Sequence, residues 1–327
     1  MNVGLIGVGR IAEIVIPTVQ KLPGITCLAA ASRSAERAEK FARKHGIPRA
    51  YGSYEALLED PDIDLVYIAT PHSLHFEQMK MCIDYGKAVL CEKSFTANAA
   101  QAEKIKNYAA QKGVFAAEAI WTRYMPSRKI IQEMVDSGIV GEIKFLTANL
   151  FYDIDDKERL VRRDLCGGAL LDVGVYGLNF ALMHFGKDLE KAESSVQMTD
   201  GGVDGQENIT LFFKDGRMAA IQAGMFSRSD RRGTFYGERG YIVVDNINNP
   251  LTVTAYDDRD CVIKEVRMPD QISGYEYEFL ECRDLLENGA GESTSMPLSD
   301  TVFVMELMDE LRAQWGLVYP GDEGYRE

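Results

Sequence analysis

Two hydrophobic rhythms follow one another along the chain. Up to about residue 121, short unbroken apolar runs (residues 3–6, 25–31, 65–69, 88–91 and 114–117) alternate with amphipathic stretches. Ile11, Ile14, Val15, Thr18 and Val19 recur at helical spacing after the first run. Ser34-Ala35-Glu36-Arg37 after the second reads as an N-cap with an acidic first turn. Further helical patterns reach Tyr85 and cover 99–111. Continuous apolar strands separated by helices predict an α/β unit, a doubly wound parallel sheet covered on both faces.

Beyond residue 122 the rhythm changes. A helix at 127–137 leads through Gly138 and Gly141 into a strand at 142–152, and an almost wholly apolar helix follows at 168–185. Strands are then expected at 194–199, 208–214, 217–223, 233–236, 241–244, 251–256 and 262–267, with Asp215-Gly216 and Arg239-Gly240 as turn pairs, before helices at 275–288 and 299–316. Strands followed by helices predict an α+β unit. The expected organisation is therefore 1–121 and 122–327, and a length of 327 residues is about right for two domains.

Composition removes several classes of function. Fifty acidic against 36 basic side chains leave a net charge of −14, which repels phosphate backbones and anionic headgroups. Neither a nucleic-acid binder nor a peripheral membrane protein is expected. Six cysteines stand at 27, 82, 91, 166, 261 and 282 without CxxC spacing, and with four histidines no structural metal site is expected. They read as reduced and buried, in a cytoplasmic protein. A first strand within three residues of Met1 leaves no room for a signal peptide, and Asp172 and Asn179 interrupt the longest apolar stretch as a membrane span.

Candidate chemistry starts at the first strand–helix junction. In Gly7-Val8-Gly9-Arg10-Ile11-Ala12 the first glycine permits a tight turn and the second a close approach to a pyrophosphate. The alanine lets helix and strand pack, and the helix N-terminus faces the anion. The second strand ends in Ser32-Arg33-Ser34, with no acid to hold a ribose 2′-hydroxyl; a hydroxyl and a guanidinium suit a 2′-phosphate, so NADP is favoured over NAD. Thr70-Pro71-His72 and His75 follow the third apolar run, and Glu92-Lys93 the fourth, at the sheet edge where ligands sit. Asp172 and Tyr176 share one face of the apolar helix, where a carboxylate needs a positive partner such as Lys93 or a role in a site. Trp121 and Arg123 fall at the junction of the two halves, a usual place for a cleft. Each of these has a structural alternative: an N-cap, an ion pair, or core packing. No nucleophile elbow is present, which argues against triad hydrolysis.

Taken together, Gly7-x-Gly9-x-x-Ala12, Ala69-Thr70-Pro71-x-x-x-His75, Glu92-Lys93 and Gly167-Gly168-Ala169-Leu170-x-Asp172-x-Gly174-x-Tyr176 resemble the glucose-fructose oxidoreductase/inositol dehydrogenase/rhizopine-catabolism (Gfo/Idh/MocA) family over nearly the whole chain. Glu118 to Pro126 resembles the branch with dimeric dihydrodiol dehydrogenases and NADP-linked D-xylose dehydrogenases. The resemblance implies a Rossmann domain and an α+β domain whose open, mainly antiparallel sheet mediates a homodimer or homotetramer. It also implies hydride transfer between nicotinamide and a carbinol or carbonyl of a sugar, polyol or cyclic vicinal diol. Tyr176 would be the acid/base, with Lys93 tuning it and binding ribose, and Asp172 orienting substrate or lysine. Arg10, Ile11, Thr70, Pro71, His72, His75, Glu92 and Arg123 would join Gly7, Gly9, Ser32 and Arg33 around the cofactor, and Trp121 would wall the substrate. Ser94 stands where the family has proline, and Cys166 where it has a third glycine. A cis bond before serine costs more than one before proline. The chain also lacks the N-terminal arm by which some sugar oxidoreductases retain cofactor, so a dissociable cofactor is expected. Two other readings compete: a glycosidase-type enzyme that retains NAD through its cycle, and a non-catalytic dinucleotide-binding sensor.

Overall fold

The computed structural model describes residues 1–322. The first eleven elements are β1 (Asn2–Ile6), α1 (Arg10–Val19), β2 (Thr26–Ala31), α2 (Ala35–His45), β3 (Arg49–Tyr51), α3 (Tyr54–Leu58), β4 (Leu65–Ile68), α4 (His72–Asp84), β5 (Ala88–Glu92), α5 (Ala99–Lys112) and β6 (Ala116–Ala119). Six parallel strands lie in the order β3-β2-β1-β4-β5-β6. Every residue of β4, β5 and β6 is buried, which is why those strands read as unbroken apolar runs. Strand order reverses at β1, so the β1–α1 turn lies at the switch point where open α/β sheets bind ligands. β3 and α3, three and five residues long, are too short to leave a periodic signal. The caps show instead: Ser53 Oγ accepts from Ala56 N at 3.1 Å, and Ser34 Oγ from Arg37 N at 3.4 Å.

The later elements are α6 (Ser127–Asp136), β7 (Ile143–Phe151), α7 (Glu158–Val161), α8 (Val175–Phe185), β8 (Leu189–Met198), β9 (Asp204–Phe213), β10 (Met218–Gly224), β11 (Gly233–Gly237), β12 (Gly240–Val244), β13 (Thr252–Asp257), β14 (Val262–Arg267), α9 (Glu276–Glu287) and α10 (Leu298–Trp315). The eight strands form one sheet, β14-β13-β12-β11-β7-β10-β9-β8. It is antiparallel except where β10 runs parallel to β7. α8 packs on β7 and β10.

Three features depart from the sequence reading. Residues 271–305, expected with the second half, cluster with 1–124, while 125–270 and 306–322 form the other unit. α9 shows why: its Phe279 and Cys282 are fully buried within the first unit's core, and Phe279 meets Tyr67 edge-on at 5.2 Å. Periodicity marks the apolar face of a helix but not what covers it. Second, the 168–185 helix is not uniform. It opens with a π-helical turn, Leu170–Gly174, before α8. Third, the segment Arg163–Phe185 does have the length and hydropathy of a membrane span, contrary to expectation, but its most apolar stretch is 94% buried within its own fold. It is a core helix whose polar members are bonded, Asn179 Nδ2 donating to Val175 O at 2.8 Å. All six cysteines are free, and Cys261, expected to be buried, is exposed.

Candidate active site

The phosphate turn is built by two glycines for different reasons. Gly7 has φ +97, and a β-carbon there would lie 2.7 Å from Ala69 O and 2.8 Å from Thr70 Cγ2, so both backbone conformation and space exclude a side chain. A β-carbon on Gly9 would meet only Ala69 O, at 3.9 Å. That space stands in front of α1, whose N-cap has no side-chain hydrogen bond. Open N–H groups and an empty cradle fit a pyrophosphate. Arg10 is exposed and Ile11 half-buried beside it.

At the end of β2, Ser32 is 7% exposed and its Oγ accepts from Ser34 N at 3.3 Å, shaping the turn. Arg33 is exposed. The structure adds two residues that the sequence reading missed. Burial pushes the Tyr54 phenol up, against the opposing pull of the Arg33 and Arg37 guanidinium groups beside it. Two cations and a phenol thus meet where a 2′-phosphate would sit. Arg37, on the first turn of α2, was visible four residues beyond Arg33. Tyr54 was not, because nothing local links α3 to β2.

At the ends of β4 and β5 the expected cofactor residues divide into half-buried and internal ones. Lys93 is half-buried while its neighbours Glu92 and Ser94 are buried, and the Lys93–Ser94 peptide is cis. His75, expected beside the cofactor, has no exposed surface. Its Nδ1 and Nε2 lie 2.9 Å from Ser94 O and Thr70 O, and the single N–H of the neutral ring donates to one of these carbonyls. Burial lowers its pKa. Glu92 also turns inward, accepting from the Tyr67 hydroxyl. Glu278 of α9 is buried nearby, and burial followed by the Glu92 charge holds it well above the usual carboxylate range. Thr70 Oγ1 donates to Gln78 Oε1 at 2.6 Å; Pro71 is the N-cap of α4; and His72 is 5% exposed.

Arg123, expected on the cofactor, is 3% exposed and its Nη1 donates to Asp300 Oδ2 at 3.2 Å. It is an internal ion-pair residue. Trp121 is 5% exposed and stacks on Tyr275 at 4.4 Å and 23°, so most of one ring face is already covered.

In the second unit, Asp172 and Tyr176 are each 8% exposed, one on the π-helical turn and one on the first turn of α8. π-Turns inside helices are frequent at functional sites. A positive partner was expected for Asp172; within this unit Arg159 of α7 supplies one, Nη1 donating to Oδ1 at 3.0 Å. Arg159 lies on the four-residue α7 thirteen residues upstream, with no pattern to link it to the helix. Gly167 and Gly168 precede the turn. A β-carbon on Gly167 would lie 2.6 Å from Leu160 O, and one on Gly168, with φ +120, 2.1 Å from Asp204 Oδ1.

A parallel sheet with a glycine turn at its reversal point and a mixed open sheet in a second unit define a two-unit fold with a dinucleotide-binding half. Residues 1–119 match the model of an oxidoreductase family with an NAD-binding Rossmann fold, and residues 129–243 match the Gfo/Idh/MocA C-terminal domain. The chain belongs to the Gfo/Idh/MocA family and is an NAD(P)-dependent oxidoreductase. It is 32% identical to a trans-1,2-dihydrobenzene-1,2-diol dehydrogenase of Xenopus tropicalis, over 97% of this chain and 98% of that one. The mouse protein of the same name is 31% identical over 98% of each chain. Among solved structures, a 3-ketoreductase from Actinomadura kijaniata complexed with NADP and TDP-benzene matches with TM-score 0.89, 26% identity and coverage of 96% and 97%. An aldose-aldose oxidoreductase from Caulobacter crescentus shares the fold at TM-score 0.87 and 22% identity, over 97% and 98% of the two chains.

Proposed function

We propose that the protein is a cytoplasmic NADP-dependent dehydrogenase or reductase acting on a sugar, polyol or cyclic vicinal diol. The observation that carries the cofactor choice is the group of Arg33, Arg37 and Tyr54 at the end of a β2 that lacks the acid typical of NAD sites. Full-length relatives named as dihydrodiol dehydrogenases and a neighbour solved with NADP support the same reading. The bound nicotinamide supplies the hydride chemistry. The chain's own task is to orient the carbinol and handle its proton. Tyr176 moves that proton; Lys93 holds the ribose and favours the phenolate; Asp172, paired with Arg159, orients the substrate hydroxyl. Self-association uses the outer face of the eight-stranded sheet, where Tyr241 and Tyr256 stack at 4.9 Å and Tyr236 is exposed. Five buried, free cysteines suit a reducing compartment.

The test is a titration of the purified protein with NADPH and with NADH, followed by turnover assays on trans-dihydrodiols, aldoses and inositols. NADPH binding much tighter than NADH, with net reduction of NADP by one of these alcohols, is the expected result. Cofactor that co-purifies and does not exchange, with no net change in NADPH, would replace this reading with the NAD-retaining glycosidase type.

A further inference from the structure

The π-helical turn that carries Asp172 is gripped at both ends by acid side chains from one strand. At its start, Asp204 Oδ2 accepts the Leu170 N–H, and Asp204 Oδ1 occupies the space that a Gly168 β-carbon would need, 2.1 Å away. At its end, Glu207 Oε1 lies 2.6 Å from the position of a Gly174 β-carbon. The two acids are three residues apart on β9. An irregularity in the β8–β9 pairing between Gln197 and Met198, opposite Asp204, lets both reach the same turn. Asp204 is 0% exposed and Glu207 3% exposed.

The grip extends to the C-terminal segment. The hydroxyl of Tyr319, also 0% exposed, has two acceptors for its single proton, Gly167 O and, at 3.4 Å, Asp204 Oδ1. Arg312 covers the Tyr319 ring at 4.6 Å and is itself bonded to Asp309 and Asp322. The charged and titratable groups facing Asp204 are therefore Tyr319, Arg312 and Glu207, together with the backbone of 167–170. Glu207 accepts no hydrogen bond from any described residue.

Resting on the reading of Asp172 and Tyr176 given above, we infer that Asp204 is a positioning residue: as an anion, bonded to Leu170 N–H and aided by Tyr319, it fixes the height of the turn that delivers both groups to the reaction. A neutral amide would be a poorer acceptor than a carboxylate for a buried N–H, and a small displacement of a catalytic group costs large factors in rate. Burial pushes Asp204 up to about 6, with the hydrogen bond from Leu170 opposing the shift. Acidification therefore removes the charge within an accessible range.

Three variants test this. In wild type, kcat should fall as pH drops through about 6. Asp204→Asn mimics the protonated form, so its kcat should sit at the wild-type low-pH level and stay flat across that range. NADPH affinity should stay within about twofold, because the cofactor turn lies in the other unit. Tyr319→Phe removes a donor to the anion and should shift the wild-type limb to higher pH, with kcat several-fold lower at pH 6.5. Asp204→Ala should lose kcat by roughly 10- to 100-fold. If Asp204→Asn fails to fold, the limb in Tyr319→Phe decides alone. Folded Asp204→Asn and Tyr319→Phe proteins with wild-type kcat and an unmoved pH limb overturn the inference. Tyr176→Phe separates the two levels: if it is inactive while Asp204 variants are silent, only this inference fails; if it keeps full activity, the proposed function of the helix fails first.

Discussion

Two glycine pairs each open a helix in this protein, and they are put to opposite use. Gly7 and Gly9 lead into α1 with the N-terminal N–H groups uncapped and clear space in front of Gly9. Gly167 and Gly168 lead into the helix of Asp172 and Tyr176, but the space a side chain would need is filled by Leu160 O and by Asp204, and the Leu170 N–H is already taken. The first turn is unfinished without an anion; the second is completed by the protein's own carboxylate. An open helix start binds a ligand, whereas a closed one holds side chains in place.

The largest effect that separates the two turns concerns what the second one delivers. Tyr176→Phe is expected to lower kcat by about 10²–10⁴-fold, the usual worth of a general acid/base, with NADPH affinity unchanged in a fluorescence titration. Next come the glycines themselves. Gly168→Ala and Gly7→Ala should each destabilise the fold by about 2–4 kcal/mol in urea unfolding, because a β-carbon meets oxygen well inside contact distance at positive φ. Gly9→Ala should leave the melting temperature unchanged yet weaken NADPH binding tenfold or more, since its β-carbon would enter only the ligand's space. Equal losses of stability at 7 and 9 would erase the distinction between an open and a closed turn.

Smaller again, Arg33→Ala should weaken NADPH by roughly 10- to 100-fold and NADH hardly at all, as expected from losing a charge-assisted contact to phosphate. Competition binding with the two cofactors measures it. The smallest effect concerns pH. Glu118, buried at 2% exposure in β6, is pushed up to about 7 by burial. A raised carboxyl pKa favours the neutral form in the folded state. Its contribution is complete below the unfolded value near 4 and is lost as pH rises through about 7. Thermal melts should therefore show stability declining from pH 5.5 to 8, by up to roughly 2 kcal/mol from this group, and Glu118→Gln should flatten the slope.

Much of the first unit was legible because its signals are local. Unbroken apolar runs set the parallel strands, and the glycine turn marks their switch point within six consecutive residues. Ser32-Arg33 was equally local. Tyr54 was not, because α3 reaches the end of β2 only after folding. His75 and Arg123 show the converse. Both lie in motifs that fall near the cofactor edge, yet both are buried, His75 between two carbonyls and Arg123 against Asp300. Sequence position gives the neighbourhood of a side chain but not the direction in which it points.

The second unit was legible as elements and opaque as a site. Strand patterns and turn signals located all eight of its strands, and helical spacing placed Asp172 and Tyr176 on one face. It did not reveal the π-helical turn, whose first N–H is bonded to Asp204, 34 positions beyond Leu170. Nor did it reveal Arg159 as the partner of Asp172, or the return of 271–305 to the first unit.

By itself, then, the sequence determined the two architectures, the dinucleotide turn and the residue types available for proton and hydride chemistry. Periodicity, turn geometry and caps are short-range, and a few neighbouring residues suffice to set them. Tertiary structure alone decided which of those residues are free to meet a ligand and which serve as internal struts. That choice rests on burial and on hydrogen bonds between residues as far apart as Gly167 and Tyr319. Contacts of that range have no trace in local pattern, because the groups that satisfy a buried polar atom come from whichever element packs against it.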